Sequence, residues 1–218
     1  MGDATHVSAC DARPRAFWWL LIFVLAALPR WATVAQYEAH HPMANHPVID
    51  EASYDSWASQ LAAGDWIGDE VFFQEPLYAY SLGAIYSIAG HRPDFVRRVQ
   101  VILGALTAVL AGVLGARIFG PRAGLAAGLL LALYQPAWLF SALLLKPVFL
   151  LFVLTALALA LIASRESERA WPYLVVGLLA GLGALLRGNI LVMLPFIGLW
   201  PLGRLGVAQL QRFLESHS

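Results

Sequence analysis

The sequence predicts an all-α, polytopic integral membrane protein with about six spans and two further helices on the outer surface, in the first extracytoplasmic loop. Three observations predict it. Hydrophobic residues make up 60% of the 218 and charged residues only 13%, against about 25% charge in a soluble domain. The apolar residues fall into runs approaching the roughly 20 residues that a bilayer-crossing helix needs. The polar residues gather in one island: between Tyr37 and Glu75 stand Glu38, Asp50, Glu51, Asp55, Asp65, Asp69, Glu70 and Glu75, eight of the fourteen acids, with no Lys or Arg among them. Loops beside spans on the cytoplasmic side carry an excess of Lys and Arg, so this island is expected on the other side.

The same composition excludes other classes. The formal net charge is zero and the basic residues are dispersed, so there is no electrostatic footprint for nucleic acid. Cys10 is the only cysteine, which rules out an internal disulfide or a thiolate metal cluster.

Taken in order, residues 1–15 form a polar cytoplasmic N-terminus carrying Arg13 and Arg15. The membrane module is expected over 16–203. Its first span covers about 17–35, and near its far end stand Pro29 and Arg30, a side chain long enough to snorkel to the interface. That span is too long for the apolar core of a cleaved signal peptide, usually about 7 to 15 residues. The acidic extracytoplasmic loop follows over 37–75. Within it Asp50, Tyr54, Trp57 and Leu61 recur at helical spacing and Gly64 stands where a cap would, predicting a short surface helix that opens on Asp50. Residues 76–89 are apolar, but a fourteen-residue segment is more often interfacial than spanning. Further spans are expected at about 95–118, 122–140, 147–163, 171–186 and 189–202, with a cytoplasmic tail over 204–218. This arrangement puts eight basic residues inside, namely Arg13, Arg15, Arg117, Arg122, Arg165, Arg169, Arg204 and Arg212; a crossing 76–89 would put seven there. Charge alone does not separate the two.

Few residues are candidates for chemistry. Asp50-Glu51 is a carboxylate pair opening a surface helix; a carboxylate so placed can serve as a general base, or can simply complement the helix N-terminus. His40, His41 and His46 lie near acids but match no metal-ligand spacing well; a divalent metal stays open and no metal ligand is assigned. Gln74-Glu75-Pro76 can open a helix, since Pro suits a first turn. Lys146 and Arg187 each interrupt a long apolar stretch, where a charge usually faces a cavity or a partner. Both fall at outer ends of spans, either as ordinary boundary residues or as cations for a lipid-linked phosphate.

Four features in order, Asp50-Glu51 with Tyr54, Ala63-Gly64-Asp65-Trp66, Phe73-Gln74-Glu75-Pro76-Leu77, and Arg117-Ile118-Phe119-Gly120-Pro121-Arg122-Ala123 leading to the 141–149 turn, resemble the GT-C superfamily of polyprenyl-phosphate-dependent glycosyltransferases, in its protein O-mannosyltransferase and aminoarabinose transferase branch. The resemblance spans roughly 15–203. It implies an inverting hexosyl or pentosyl transferase of the inner (plasma) membrane, taking a sugar from a polyprenyl-phosphate carrier to a lipid or protein acceptor at the extracytoplasmic face. In that light Asp50 is the catalytic base and Glu51 its supporting acid. Tyr54, Gln74, Glu75, Lys146 and Arg187 are substrate-binding, and 76–89 does not cross.

The chain departs from the pattern in three places. Relatives often have a Lys where Glu75 stands, and an acid where Lys146 stands. Either Lys146 supplies the cation lost from position 75, or the site has decayed or handles another donor. Relatives also usually continue for several hundred residues, which leaves a truncated product, or a reduced form working with a further membrane subunit. The alternative function is a non-catalytic membrane protein that binds or transports a lipid-linked sugar carrier.

Overall fold

The computed structural model describes residues 16–44, 46–67, 74–165, 167 and 169–199. The expected cytoplasmic termini, 1–15 and 204–218, lie outside the described residues. Among the described residues the structure is helical, with no strand. The α-helices follow in order: α1 Ala16–His40, α2 Asp50–Ala62, α3 Pro76–Ala89, α4 Pro93–Phe119, α5 Pro121–Ala132, α6 Gln135–Ala142, α7 Pro147–Arg165 and α8 Trp171–Leu186, and residues 194–199 are also helical. Short 3-10 turns stand at Pro42–Ala44 and Gly188–Met193.

Helices α1, α4 and α7 are long and apolar enough to cross a membrane, and α5 with α6 passes the same test as a pair bent by 50°. The apolar helices Trp171–Leu186 and Gly188–Leu199 are shorter. Large hydrophobic side chains face outward along these helices, Leu130, Leu174 and Leu178 among them, while Arg30, Arg97, Gln100 and Ser141 are buried. A lipid-exposed surface with polar groups turned inward is what a bilayer solvent selects, because hydrocarbon cannot satisfy a polar group.

Close helix packing depends on small residues. A Cβ added at Gly124 of α5 would lie 2.5 Å from the Gly112 carbonyl oxygen and 2.5 Å from Ala116 Cβ on α4. Small residues at such crossings let two backbones approach in lipid, where packing rather than water exclusion drives association.

The two loop helices appear where the spacing places them. Helix α2 starts at Asp50 and is followed by Gly64 at φ 105°; α3 occupies the fourteen residues from Pro76 and is followed by Gly90 at φ 75°. They pack on each other through Tyr54, Ala58, Leu61, Tyr78, Ala79 and Leu82, all buried.

Three expectations are corrected. The 122–140 segment is not one straight span: it breaks at Leu133 and Tyr134. Pro136 explains the break, since a proline has no N–H for the carbonyl four residues back, that of Ala132, and its ring clashes with that carbonyl. Arg30 does not snorkel. It is 1% exposed and donates to the carbonyls of Ala132 (3.3 Å) and Leu131 (3.2 Å), at the end of α5 where the broken helix leaves acceptors without intrahelical donors. The segment expected to span 189–202 opens instead as the 3-10 turn Gly188–Met193, and its last residues lie outside the described ones.

Candidate active site

The acidic loop, the 143–146 turn between α6 and α7, and the Arg187–Gly188 break after α8 meet at one place. Glu75 joins two of them. Its Oε1 accepts the backbone N–H of Gly188 at 3.0 Å, and its Oε2 accepts the Lys146 ammonium. The Tyr54 hydroxyl interacts electrostatically with Lys146. Glu51 joins α2 to the same turn, its Oε1 accepting the backbone N–H of Leu144 at 2.9 Å. Gln74 Nε2 donates to Asp50 Oδ1 at 3.3 Å. The predicted site residues Asp50, Glu51, Tyr54, Gln74, Glu75 and Lys146 are thus brought into one connected set. Arg187 sits beside it in sequence at Gly188, with its side chain exposed and no side-chain partner among the described residues.

The adjacent acids differ in surroundings. Glu51 is 6% exposed and points inward, whereas Asp50 is exposed. Burial pushes the Glu51 carboxyl above the usual carboxylate range, partly opposed by the Leu144 N–H and by Arg97. Asp50 does not cap its own helix by a side-chain hydrogen bond; the cap position is Ile49, at φ 52° and ψ −120°. A β-branched residue held there stores roughly 1 to 3 kcal/mol of strain.

Around Lys146 the charges are matched. The Lys146 ammonium holds the Glu75 carboxyl down to about 2, against burial, and the Gly188 N–H adds to the effect. Burial alone would lower the Lys146 ammonium, but its interactions with Glu75 and Tyr54 outweigh it and its pKa is raised. The Tyr54 hydroxyl is pushed up, by burial first, against the pull of Lys146. Glu75 and Lys146 are therefore both charged across the physiological range. The two sequence departures at positions 75 and 146 prove to be partners in one ion pair.

Sequence reasoning missed the residues that hold the 143–146 turn in place. Arg97 of α4, 2% exposed, donates to the carbonyls of Ala142 (2.9 Å) and Ala44 (2.7 Å) and lies over the Tyr37 ring at 5.3 Å. Gln100, fully buried, donates to the carbonyls of Ser141 (3.1 Å) and Leu143 (2.8 Å) and accepts from the Tyr78 hydroxyl (2.9 Å). The available signal was Arg97 and Gln100, one helical turn apart at the head of a long, mostly apolar helix that also carries Asp94 and Arg98 there.

Among the described residues no three His, Cys, Asp or Glu side chains converge on a point that could hold an ion. His41 stacks on Tyr37 at 4.7 Å, and His40 Nδ1 lies 3.2 Å from the Gln36 carbonyl.

Comparison with known proteins identifies the family. Residues 74–205, which include Gln74, Glu75, Lys146 and Arg187, match the family model described as dolichyl-phosphate-mannose-protein mannosyltransferase. Two relatives, both described as undecaprenyl phosphate-alpha-4-amino-4-deoxy-L-arabinose arabinosyl transferase, are 30% identical over 173 residues; one is from Pseudomonas aeruginosa (strain UCBPP-PA14) and one from Pseudomonas paraeruginosa (strain DSM 24068 / PA7). Each alignment takes in 72% of this chain and 31% of the relative, so the chain spans about a third of the length of the curated relatives it matches. No solved structure matches it. With more than half of its residues matching the family model, the chain belongs to the dolichyl-phosphate-mannose-protein mannosyltransferase family.

Proposed function

We propose that this chain is the membrane portion of a glycosyltransferase that moves a sugar from a polyprenyl-phosphate carrier to a lipid or protein acceptor at the extracytoplasmic face. The observation that carries the reading is the convergence of an exposed carboxylate, Asp50, with the Glu75–Lys146 pair and the Arg187–Gly188 break, three segments far apart in sequence. The relatives' names, with an undecaprenyl phosphate and an aminoarabinose, support a lipid-phosphate donor and a pentosyl group. Family membership supports glycosyl transfer in general.

In this proposal Asp50 takes the proton of an acceptor hydroxyl. The oxygen forms a bond to the anomeric carbon from the face opposite the lipid phosphate. The carbon–oxygen bond to that phosphate breaks, its electron pair leaves on polyprenyl phosphate, and the configuration inverts. Arg187 stabilises the departing phosphate, and Lys146 holds the phosphate of the bound donor. Since Lys146 already holds Glu75, the phosphate shares the ammonium with that carboxylate while Gly188 keeps Glu75 in place. Gln74 Oε1, buried and without a partner among the described residues, is available to accept from a sugar hydroxyl or amine.

Binding of labelled undecaprenyl phosphate to the purified protein, beside a transfer assay, tests this. Arg187→Ala is expected to weaken lipid affinity about 10-fold or more, since a charge-assisted contact is worth about 1.5 to 3 kcal/mol. Unchanged affinity removes the phosphate role from Arg187. Lipid binding by wild-type protein without transfer to any acceptor favours the carrier-binding alternative.

A further inference from the structure

The groups that meet Glu51 and Glu75 are carried on a stretch with no regular structure of its own. Residues 143–146 lie between α6 and α7, yet they supply both the Leu144 N–H to Glu51 and the Lys146 ammonium to Glu75. A turn without helix or sheet bonding holds one position only if its backbone groups are bonded from outside.

Gln100 provides that bonding. Its amide reaches across from α4 to the carbonyls of Ser141 and Leu143, on either side of the point where α6 ends. Both donor hydrogens are spent on the turn, and its oxygen takes the Tyr78 hydroxyl of α3. Tyr78 in turn packs edge-on against Tyr54 at 4.9 Å and against Phe149 of α7 at 5.4 Å. A single buried amide therefore ties α3, α4 and the turn together at the level of the site. Arg97 fixes the neighbouring Ala142 carbonyl, but it also serves Glu38 and Ala44, so its removal would disturb the whole outer layer.

We infer that Gln100 is a positioning residue: by clamping the Ser141 and Leu143 carbonyls it sets where Leu144 and Lys146 stand, and through Lys146 it governs affinity for the lipid-phosphate donor. This rests on the reading of Lys146 as a donor-binding cation. Gln100 touches neither substrate nor reacting atoms.

The test compares Gln100→Met, which keeps side-chain length and removes both donors, with Tyr78→Phe, which removes one hydrogen bond to the same amide and leaves the clamp. Two measurements on the full chain are needed. Hydrogen exchange over 143–150 is expected to rise in Gln100→Met and to change little in Tyr78→Phe. The donor KM is expected to rise about 10-fold in Gln100→Met with kcat kept, the size of one lost charge-assisted contact. Combined with Lys146→Ala, Gln100→Met should add nothing further to KM, because residues acting through one contact are not additive.

Unchanged exchange over 143–150 in a folded Gln100→Met protein overturns the clamp, whatever the protein's activity. Raised exchange with an unchanged donor KM, or a KM effect that adds fully to that of Lys146→Ala, overturns the positioning role. An unchanged KM in Lys146→Ala alone overturns instead the reading of Lys146 as a donor-binding cation, and with it the catalytic meaning of the clamp.

Discussion

Replacing Glu75 by glutamine isolates the charge of the Glu75–Lys146 pair. The amide oxygen of the introduced side chain can still accept the Gly188 N–H that Glu75 accepts at 3.0 Å, so the loss falls on the bond to Lys146. The fall of the Glu75 carboxyl from 4.5 to about 2 corresponds to about 3 kcal/mol, at roughly 1.4 kcal/mol per tenfold change in proton affinity. The Glu75 side chain is 32% exposed, and solvent screening cuts this to about 1.5 kcal/mol. For a chain of this size that is about a 4 °C fall in melting temperature at pH 7. The sign with pH follows from a carboxylate held below its unfolded value. Its contribution is full above about 4.5 and is lost as pH falls towards about 2. Melting of purified wild-type and Glu75→Gln proteins at pH 7, 5, 4 and 3 should therefore show a gap that is constant down to pH 5 and narrows below it. The exchanged pair Glu75→Lys/Lys146→Glu should recover only part of the loss, because a lysine at 75 cannot accept the Gly188 N–H. Equal melting of Glu75→Gln and wild type at pH 7, or a gap that widens as pH falls, refutes the reasoning.

Two further outcomes follow from the fold. Arg30→Met should cost about 2 to 3 kcal/mol, because the carbonyls at the α5–α6 break lose a buried donor; a melting temperature lowered by about 6 °C or more checks it. Cysteines introduced at Ser53 and Ser167 should be labelled from opposite sides of the membrane, and cysteines at Ser81 and Ser87 should react from the Ser53 side, as a non-crossing α3 requires.

The boundaries of α2 and α3 were legible because their signals are local. Helical spacing from Asp50 to Leu61, a first-turn Pro76, and Gly64 and Gly90 at positive φ all act within a few residues. The α5–α6 break left only a short mark in hydropathy, a dip over Tyr134-Gln135-Pro136 inside a long apolar run. Arg30 was misplaced for the same reason: besides the local Ala26 carbonyl, its partners are two carbonyls about a hundred residues away that lack intrahelical donors only because the helix breaks. Within the site, the residue types at 50, 51, 75 and 146 suggested chemistry, but not who meets whom. Glu75 and Lys146 stood as two departures, with Lys146 as one candidate source of the cation lost from position 75, and they are one ion pair across 71 positions. Gln100 gave almost no signal, since a single amide near the head of an apolar helix acquires meaning only when the Ser141 and Leu143 carbonyls fold against it.

The central claim, that Asp50 is the base of a sugar-transfer reaction, is tested most directly by one assay. Transfer from undecaprenyl-phosphate sugar donors, one carrying aminoarabinose and one carrying mannose, is measured for the wild-type and Asp50→Asn proteins, with lipid binding followed in parallel. Loss of a positioned general base typically costs about 10²- to 10⁴-fold in rate. The predicted result is a loss of kcat in that range with undecaprenyl-phosphate affinity retained, because Asp50 bonds to Gln74 and not to Lys146. Transfer by Asp50→Asn at the wild-type rate would contradict the claim.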